Sequence, residues 1–439
     1  MELDLKKIKK AHFIGIGGIG ISAIARMMLK RGISVSGSDR SPSIITSELK
    51  KLGARVFIGH KASNVTRNVD IVIYTIAVPE NNLELAQTKK MGIPVMTYPQ
   101  ALGEISKDHF TIAVSGTHGK TTTTAMIGGI FKDAKKDPTV VVGSLIGKGK
   151  SNLIAGKGKY FIAEACEYKR SFLNLHPKII VITNIDNDHL DYYKNLKEIQ
   201  KAFSEFVSKL GAKDYLVTDA KNPTVAPVVK NALCRIVDFK KESVRGLKLS
   251  VPGAHNILNA QAALAVSKIA GIPRSTAIKY LAHFPGTWRR FEFKGKTRSG
   301  ALVYDDYAHH PTEIKATLSA AREVIRKNKN SIKKLIVVFQ PHLYSRTKLL
   351  FKEFAKSFND ADELVLVPIY AARETNDKTV SSAELAREVK KNGIDAKAVD
   401  SFEEAVQLLK GRSGKGYMIL TMGAGDVYKI GGELLKKKR

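Results

Sequence analysis

Residues 111–126 read TIAVSGTHGKTTTTAM and decide the fold class that the rest of the chain must fit. An apolar run typical of a strand ends at Gly116, Gly119 follows, and Lys120 and four threonines open a stretch typical of a helix. In such a strand–turn–helix, successive backbone N–H groups and the helix N-terminus point at a bound polyphosphate. The stretch therefore predicts a phosphate-binding loop in an α/β domain.

Each motif residue of this loop has an expected role. Gly116 and Gly119 let the backbone approach phosphate oxygens, Lys120 reaches the outer phosphates, and the Thr121 hydroxyl is placed for Mg²⁺. The loop has the shorter GTxGKT form, with Val114 where the longer phosphate-loop pattern has a glycine. An ordinary strand-to-helix turn is the alternative interpretation. The strand, the glycines, the lysine and the hydroxyls all fall at the positions that a phosphate loop requires. This agreement favours an ATP site over an ordinary turn.

Acidic and imidazole side chains follow two further strands of the same series. Glu164 ends YFIAE, and Asp188 and His189 follow VITNID. Residues at strand ends are often solvated loop residues, but the carboxyl ends of parallel strands meet at one edge of a sheet, beside the phosphate loop. We therefore expect Glu164 and the Asp188–His189 pair to offer ligands for Mg²⁺ beside Thr121.

The 439 residues are too many for one ordinary domain. Short apolar strands alternate with helical stretches in three series, which begin near Ala11, His109 and the stretch LVYDD. This alternation is typical of parallel sheets with crossover helices, so we predict an α/β protein of three doubly wound domains. The expected ranges are 1–106, 107–298 and 299–439.

Composition limits the classes of protein that the chain can belong to. Lys and Arg total 72 against 41 Asp and Glu, a net charge of +31, but the basic residues are spread along the chain. We read this as attraction for anions such as phosphorylated small molecules, with nucleic acid disfavoured. Cys166 and Cys234 form no CxxC pair, which excludes a disulfide framework or zinc site. The N-terminus fits neither a secretion signal nor a spanning helix, so a cytoplasmic protein with no membrane partner is expected.

A second glycine-rich turn lies near the N-terminus. HFIGIGGIG places Gly15, Gly17 and Gly20 as GxGxxG after a strand, and Asp39 ends the next strand about twenty residues on. This is the fingerprint of a dinucleotide site, in which a helix N-terminus binds a diphosphate. NAD binding by an oxidoreductase and a packing role for the glycines are the alternatives, and no hydride-transfer site follows downstream.

The chain resembles the Mur ligase family. The motifs that carry the resemblance are, in order along essentially the whole chain, GTHGKTTTT, EACEYKRSF, TNIDNDHLDYY, PGAHNILNA, GTWRRFE, DDYAHHPTEI, FQPHLYSRT and TMGAGDV. The resemblance is strongest to those members that join L-alanine to the lactyl carboxylate of UDP-N-acetylmuramate in peptidoglycan precursor synthesis. It implies an ATP- and Mg²⁺-dependent ligase that works through an acyl phosphate. It also implies a Rossmann-like UDP-binding domain, a central P-loop ATPase-like domain and a Rossmann-like C-terminal domain.

The same resemblance implies roles for individual residues. The ATP site would consist of Gly116, Thr117, His118, Gly119, Lys120, Thr121, Thr122, Asn256, Asn259, Arg290, Asp306 and His309. The catalytic residues would be Lys120, Glu164, His189 and Arg290, and the metal ligands Thr121, Glu164 and His189. The UDP-sugar would bind at Gly15, Gly17, Gly18, Gly20 and Asp39, and the amino-acid substrate at His342 and Arg346. Arg289, Asp305 and His310 are sequence neighbours that could hold the roles given to Arg290, Asp306 and His309.

Several alternatives stay open at this stage. A ligase that recycles an intact tripeptide onto the same UDP-sugar would use the first two domains in the same way. Leu343 stands where many of these ligases carry arginine, so glycine or serine could replace alanine as acceptor. A regulatory nucleotide-binding protein would lack part of the phosphate and metal set, which is present here. Both a monomer and a dimer fit the sequence.

Overall fold

A computed structural model describes residues 7–146, 151–189, 192–328, 331–372, 374–375, 379–412 and 414–436. The chain forms two compact units. The first contains Met1–Asn187, Asn195–Lys248 and Leu258–Phe284, and the second contains Asp188–Lys194, Leu249–Ile257 and Pro285–Arg439. Within the residues described, no helix combines the length and apolar character that a membrane crossing requires.

The first unit begins with a five-stranded parallel sheet in the order β3-β2-β1-β4-β5. Its strands are β1 (Lys10–Ile14), β2 (Ser34–Asp39), β3 (Arg55–Ile58), β4 (Ile71–Tyr74) and β5 (Val95–Thr97). The helices of this part are α1 (Ile19–Lys30), α2 (Ile44–Lys51), α3 (Leu83–Lys90) and α4 (Tyr98–Lys107). Strand, helix and strand alternate as the sequence predicts.

The second sheet, also in the first unit, has seven strands in the order β12-β11-β10-β6-β9-β7-β8. They are β6 (Phe110–Ser115), β7 (Thr139–Ile146), β8 (Ser151–Ile154), β9 (Tyr160–Glu164), β10 (Ile179–Ile182), β11 (Tyr215–Thr218) and β12 (Arg235–Asp238). Among the described strands of this sheet, β8 alone pairs antiparallel, with β7. The helices that follow are α5 (Lys120–Asp133), α6 (Leu196–Val207), α7 (Ala226–Val229), α8 (Ala254–Ile269) and α9 (Arg274–Ala282).

The third sheet lies in the second unit and runs β13-β14-β18-β15-β16-β17. Its strands are β13 (Glu292–Lys296), β14 (Leu302–Asp306), β15 (Ile332–Phe339), β16 (Glu363–Leu366), β17 (Asp395–Ala398) and β18 (Gly416–Met422). The helices are α10 (Pro311–Lys327), α11 (Tyr344–Leu349), α12 (Phe351–Ala355), α13 (Ser382–Lys391), α14 (Phe402–Lys410) and α15 (Tyr428–Leu435). The edge strand β13, which pairs antiparallel with β14, lies before position 299.

Strand β15 shows why this sheet is covered on both faces. Successive side chains of a strand point to opposite faces. Leu335 and Val337 join one buried apolar cluster, whereas Ile336 and Val338 join another. A strand that is buried on both sides reads as a continuous apolar run, which is what LIVVF shows. The doubly wound α/β architecture expected from the sequence is therefore confirmed in this part of the chain.

Helix α4 joins the first and second sheets within the first unit. It starts in a capping box between Thr97 and Gln100, with Pro99 in its first turn. A 3₁₀ segment, Tyr168–Asn174, packs along it. Gly103 lies directly against the Asn174 backbone carbonyl, and the His176 backbone N–H donates to the Ser106 hydroxyl at 3.0 Å. The close approach requires a residue without a Cβ at 103.

We predict that Gly103→Ala lowers the thermal unfolding midpoint, because its Cβ would meet a backbone oxygen that cannot rotate away, with a cost of about 1–3 kcal/mol. The matched control is Gly432→Ala in α15, where a Cβ meets no atom within 4 Å. Because alanine is the better helix former by about 1 kcal/mol, that variant should unfold no earlier than the wild type. Equal midpoints for both variants would contradict the packing described for α4.

Candidate active site

The phosphate-loop sequence forms a strand–turn–helix between β6 and α5. Gly116 and Gly119 have φ values of +123° and +84°, in the region that favours glycine. A Cβ at Gly119 would lie 2.5 Å from the Asn259 Oδ1 atom, and one at Gly116 would overlap the Thr183 hydroxyl. The two glycines therefore allow a tight loop that ends at the N-terminus of α5, whose first turn contains no acidic residue. Such a helix start suits an anion.

Lys120 begins α5 and its ammonium lies over the loop. Its Nζ atom donates to the carbonyl oxygens of Gly116 at 2.5 Å and Thr117 at 3.0 Å, and to Glu167 Oε1 at 3.0 Å. Burial disfavours the charged form, but Glu167, Cys166 and Glu164 outweigh it and raise the pKa of Lys120. The lysine is therefore a firmly charged donor held at the loop.

Side chains that follow β10 hold the other side of the loop. Asn184 accepts from the His118 backbone N–H at 2.9 Å and donates to the His118 carbonyl at 3.0 Å. The Thr117 hydroxyl accepts from the Asp186 backbone N–H at 2.8 Å, and the His118 Nε2 atom lies 3.3 Å from Asp186 Oδ2. Thr183 donates to the same His118 carbonyl at 2.6 Å. These contacts fix the loop shape before any ligand binds.

Glu164 lies at the end of β9 and contacts two other elements. One carboxylate oxygen accepts from the Thr121 hydroxyl at 2.9 Å and from the Gly143 backbone N–H of β7 at 2.8 Å. A Cβ at Gly143 would overlap this carboxylate. A hydroxyl and a carboxylate side by side are the hard oxygen donors that Mg²⁺ prefers. Thr121 and Glu164 therefore fit the metal assigned to them, while Thr122 is buried on α5.

The N-terminal glycines form the turn between β1 and α1. Gly15 has φ +78° and its N–H donates to the Ser38 carbonyl at 2.8 Å. The Gly17 N–H donates to Asp39 Oδ2 at 2.8 Å. Gly18 is the N-cap of α1 and offers no side-chain cap. Gly20, in the first turn, faces the Tyr98 ring. The five residues assigned to the UDP-sugar thus lie together at the start of α1.

In the second unit, five side chains form a polar group. Arg346 donates to Asp188 Oδ1 at 2.9 Å and its Nη1 lies 3.1 Å from His342 Nδ1. The His342 ring stacks on Tyr370 at 5.7 Å and meets the His309 ring edge-on at 5.6 Å. Burial opposes ionisation of Asp188, but the charges of His189, Arg346 and nearby histidines lower its pKa well below the usual range. His342 and Arg346, the residues assigned to the amino acid, are therefore neighbours.

The adjacent arginines of GTWRRFE have different surroundings. Arg289 is 2% exposed and donates to Asp305 Oδ2 at 2.8 Å, with its other nitrogens on the Gly425 and Gly423 carbonyls. Arg290 remains partly exposed, with Nη1 3.9 Å from Glu313 and its guanidinium 5.1 Å from the Tyr307 ring centre. The guanidinium of Arg289 is fully engaged inside its own unit, whereas that of Arg290 is partly exposed.

The DDYAHHP loop shows a similar division. Asp306 accepts from the backbone N–H groups of Phe291 at 2.6 Å and Ala308 at 2.7 Å. Burial raises the pKa of Asp306 to about 6. Burial also lowers the pKa of His309 to about 4, against the opposite effect of Glu313. His310 caps α10 by accepting from the Thr312 N–H at 3.3 Å. Asp306 therefore organises its own loop, and His309 is neutral near pH 7.

The predicted site residues divide between the two units. The first unit brings together the loop residues 116–122, Glu164 and Asn259. The second contains His189, Asn256, Arg290, Asp306, His309, His342 and Arg346. Asn256 donates to the Pro252 carbonyl at 2.7 Å. Leu343 is buried at φ +70° and presents no charge at that position.

Sequence reasoning missed several residues of the site. Glu167 pairs with Lys120, Asn184 hydrogen-bonds to His118, and Gly143 donates to Glu164. The sequence points to Asp188 as a carboxylate at a strand end, but not to its pairing with Arg346. Glu167 and Asn184 lie inside motifs that were recognised, so a charge-pairing argument for the buried lysine could have pointed to Glu167. Gly143 had no signal, because its contact is made by the backbone.

Three doubly wound sheets and a glycine–lysine phosphate loop define an α/β nucleotide-binding class. Family models match along the chain: the Mur ligase family, catalytic domain, at residues 10–110, the Mur ligase middle domain at 114–267, and the Mur ligase, glutamate ligase domain, at 289–425. The chain belongs to the Mur ligase family.

Individual relatives agree over the full length. The UDP-N-acetylmuramate–L-alanine ligase of Clostridium acetobutylicum is 45% identical and covers 100% of both chains, and that of Acetivibrio thermocellus is 42% identical over 100% of this chain and 98% of its own. The solved UDP-N-acetylmuramate-alanine ligase of Thermotoga maritima has a TM-score of 0.81 at 30% identity, covering 97% of this chain and 98% of its own. The murein peptide ligase of Psychrobacter arcticus shares the fold, with a TM-score of 0.73 at 22% identity over 97% of this chain and 98% of its own.

We predict that Arg289→Lys lowers the free energy of unfolding by about 3 kcal/mol or more, because Asp305 and two carbonyls lose a buried guanidinium. Arg290→Lys should change it by less than about 1 kcal/mol, since its ion pair is long and partly exposed. Chemical denaturation followed by circular dichroism measures both. The reverse order of effects would exchange the structural and ligand-facing roles of the two arginines.

The pH dependence of stability should reveal His309. Its pKa is about 4 in the folded chain and about 6.5 when unfolded, so the unfolded state binds the extra proton in between. The contribution of His309 is thus present above pH 6.5 and is lost as the pH falls towards 4. The stability difference between wild type and His309→Gln should shrink by about 3 kcal/mol over that range. A difference that is constant with pH would rule out a buried neutral imidazole.

Proposed function

We propose that this protein joins L-alanine to the lactyl carboxylate of UDP-N-acetylmuramate at the expense of ATP, giving ADP and phosphate. The observation that carries the proposal is the Lys120 ammonium, which is held over a glycine loop beside the Thr121–Glu164 pair. It is supported by full-length relatives that bear the name of this ligase. The proposal places the enzyme in peptidoglycan precursor synthesis.

The reaction must first activate a carboxylate, whose oxygen is a poor leaving group. Transfer of the γ-phosphoryl group of ATP to the lactyl carboxylate gives an acyl phosphate and ADP. The amine of alanine then attacks the carbonyl carbon, phosphate leaves, and the amine gives up its proton. Phosphoryl transfer depends mainly on positioning and on neutralising charge. The chain needs well-placed donors for this chemistry and no nucleophilic side chain.

Each part of the phosphate site has a matching task. The Gly116–Gly119 loop and the start of α5 receive the phosphates, and Lys120 neutralises charge at the outer ones. Bound Mg²⁺ supplies Lewis-acid charge neutralisation, with Thr121, Glu164 and His189 as its proposed ligands. His189 must be neutral to serve as a ligand. Arg290, partly exposed in its own unit, is the second proposed cation for the transferring group.

The turn before α1 is proposed to bind the UDP-sugar. A helix N-terminus recognises a diphosphate whatever base is attached, so the glycine pattern serves a nucleotide sugar as well as NAD. The Asp39 carboxylate already accepts from the Gly17 N–H, which ties it to the loop. The oxidoreductase alternative is not favoured, because the full-length relatives are ligases.

The amino-acid substrate is proposed to bind in the second unit at His342 and Arg346. Arg346 is anchored by Asp188 and retains donors for a substrate carboxylate. The buried Leu343 adds no second cation there, so the choice of acceptor depends on few polar groups. Asn256 and Asn259 remain the proposed adenine contacts, and Asp306 acts by holding the loop that carries His309.

The experiment that tests the proposal measures phosphate release by the purified full-length chain from Mg-ATP and UDP-N-acetylmuramate. Separate reactions contain alanine, glycine, serine or a stem tripeptide, and mass spectrometry identifies the product. Release that requires both the UDP-sugar and alanine supports the proposal. Release only with tripeptide would move the protein to the recycling reaction, and no release with any acceptor would reject a ligase.

We predict that Lys120→Ala lowers the ligation rate by about a hundredfold or more, because it removes the charge that faces the transferring phosphates. The matched control is Lys132→Ala in the last turn of the same helix, an exposed lysine whose loss should leave the rate within about twofold. Steady-state kinetics with saturating alanine measure both variants. A Lys120→Ala rate near that of the control would reject the phosphate-loop assignment.

The division into domains at 1–106, 107–298 and 299–439 stays a prediction, as do the cytoplasmic location and the choice between monomer and dimer. These features do not affect the assay, which uses the intact chain.

A further inference from the structure

Tyr98 lies where the proposed UDP-sugar turn meets the rest of the first unit. It is the first residue of α4, and its ring lies against Gly20 in the first turn of α1. A Cβ on Gly20 would be only 2.7 Å from Tyr98 Cζ and 2.9 Å from its hydroxyl oxygen. The absence of a side chain at Gly20 therefore lets the phenol reach the start of α1.

Helix α4, which carries this phenol, packs along the 3₁₀ segment Tyr168–Asn174. Burial raises the pKa of Tyr98, and the charges of Glu164 and Cys166 raise it further. Gly103 lies against Asn174, the last residue of the 3₁₀ segment. The start of α4 therefore lies towards the first residues of that segment, which come just after Glu164 and Glu167 in the chain.

A second set of contacts connects the first turn of α1 with Glu164 through the strands β8 and β7. Asn152 of β8 donates from its side chain to the Ile19 carbonyl and, at 3.3 Å, to the Ser22 hydroxyl in the first turn of α1. Strand β8 pairs with β7, whose Gly143 N–H holds the Glu164 carboxylate. The first turn of α1 and Glu164 are thus joined through one hairpin, and the Tyr98 phenol lies against Gly20 in that turn.

The proposed substrate must join the same two places. Its diphosphate is proposed to bind at the start of α1. Its lactyl carboxylate then has to reach the γ-phosphoryl group of ATP, which is proposed to lie between Lys120 and Glu164. We propose, on the basis of the proposed function, that the Tyr98 hydroxyl donates a hydrogen bond to the lactyl carboxylate of the UDP-sugar. Tyr98 is then a specificity-determining residue that distinguishes this substrate from UDP-sugars without the lactyl group.

The chemistry of a phenol suits this role. It is a neutral donor, so it orients the carboxylate without the ion pair that an ammonium would form, and the attacking oxygen keeps its charge. The side chain is half-buried. Its backbone is held by the Thr97–Gln100 capping box, which limits movement of the ring.

The test is Tyr98→Phe in the full-length chain, with binding of three probes measured by calorimetry: UDP-N-acetylmuramate, UDP-N-acetylglucosamine, which lacks the lactyl group, and UDP. A hydrogen bond to a charged group implies that UDP-N-acetylmuramate binds about tenfold more weakly, while the other two bind as to wild type. In steady-state assays the KM for UDP-N-acetylmuramate should rise and the KM for ATP should not change.

Tyr280→Phe is the matched control, because that ring also lies against a helical glycine, Gly129 of α5, in the same unit. It should leave all three affinities unchanged. Unchanged binding of UDP-N-acetylmuramate by Tyr98→Phe would overturn the inference, and so would an equal loss for all three probes, which would place the hydroxyl on the diphosphate or in packing. A wild type that binds UDP-N-acetylmuramate selectively but does not ligate alanine would reject the proposed function and leave this inference standing.

Discussion

The Glu164 carboxylate is the side chain on which the arrangement of the candidate phosphate site in the first unit depends. It ends β9, accepts from Thr121 at the start of α5 and accepts from the Gly143 N–H of β7. A partly buried carboxylate is tolerated only when donors and nearby positive charge compensate for lost water. Lys120 supplies that positive charge, and Glu167 in turn forms an ion pair with Lys120. Strand, hairpin and helix are thus held in one arrangement by a single side chain.

In the second unit, the adjacent residues Arg289 and Arg290 differ in burial and in their partners. Arg289 and Asp305 form an ion pair that is nearly inaccessible, and the carbonyls of Gly423 and Gly425 take the remaining donors. Arg290, one residue later, keeps a partly exposed guanidinium. A buried pair of this kind contributes little net stability but is costly to break. It fixes the positions of β14 and the loop after β18 relative to each other.

Much of this arrangement could be predicted from particular residues. The run FTIAVS before two glycines indicated β6 and the phosphate loop, because apolar strands and positive-φ glycines are local properties. Glu164, Asp188 and His189 became candidates because parallel strands place their carboxyl ends at one edge, and their metal-binding role stays a prediction. Gly143 could not be found this way, since its contribution is one backbone N–H, which every residue except proline carries. Nor could the partner of Arg346, 158 positions away at Asp188, be read from spacing.

The sequence by itself determined the alternation of strands and helices, the glycine loops at Gly15–Gly20 and Gly116–Gly119, and the family to which the chain belongs. These features depend on local periodicity, on glycine conformations and on motifs whose members lie a few positions apart. Only the tertiary structure decided which of two adjacent arginines is buried, that Glu167 holds Lys120, and that Tyr98 reaches Gly20. The physical reason is that burial and charge pairing depend on which distant segments pack together, and neither a residue's type nor its position along the chain specifies that.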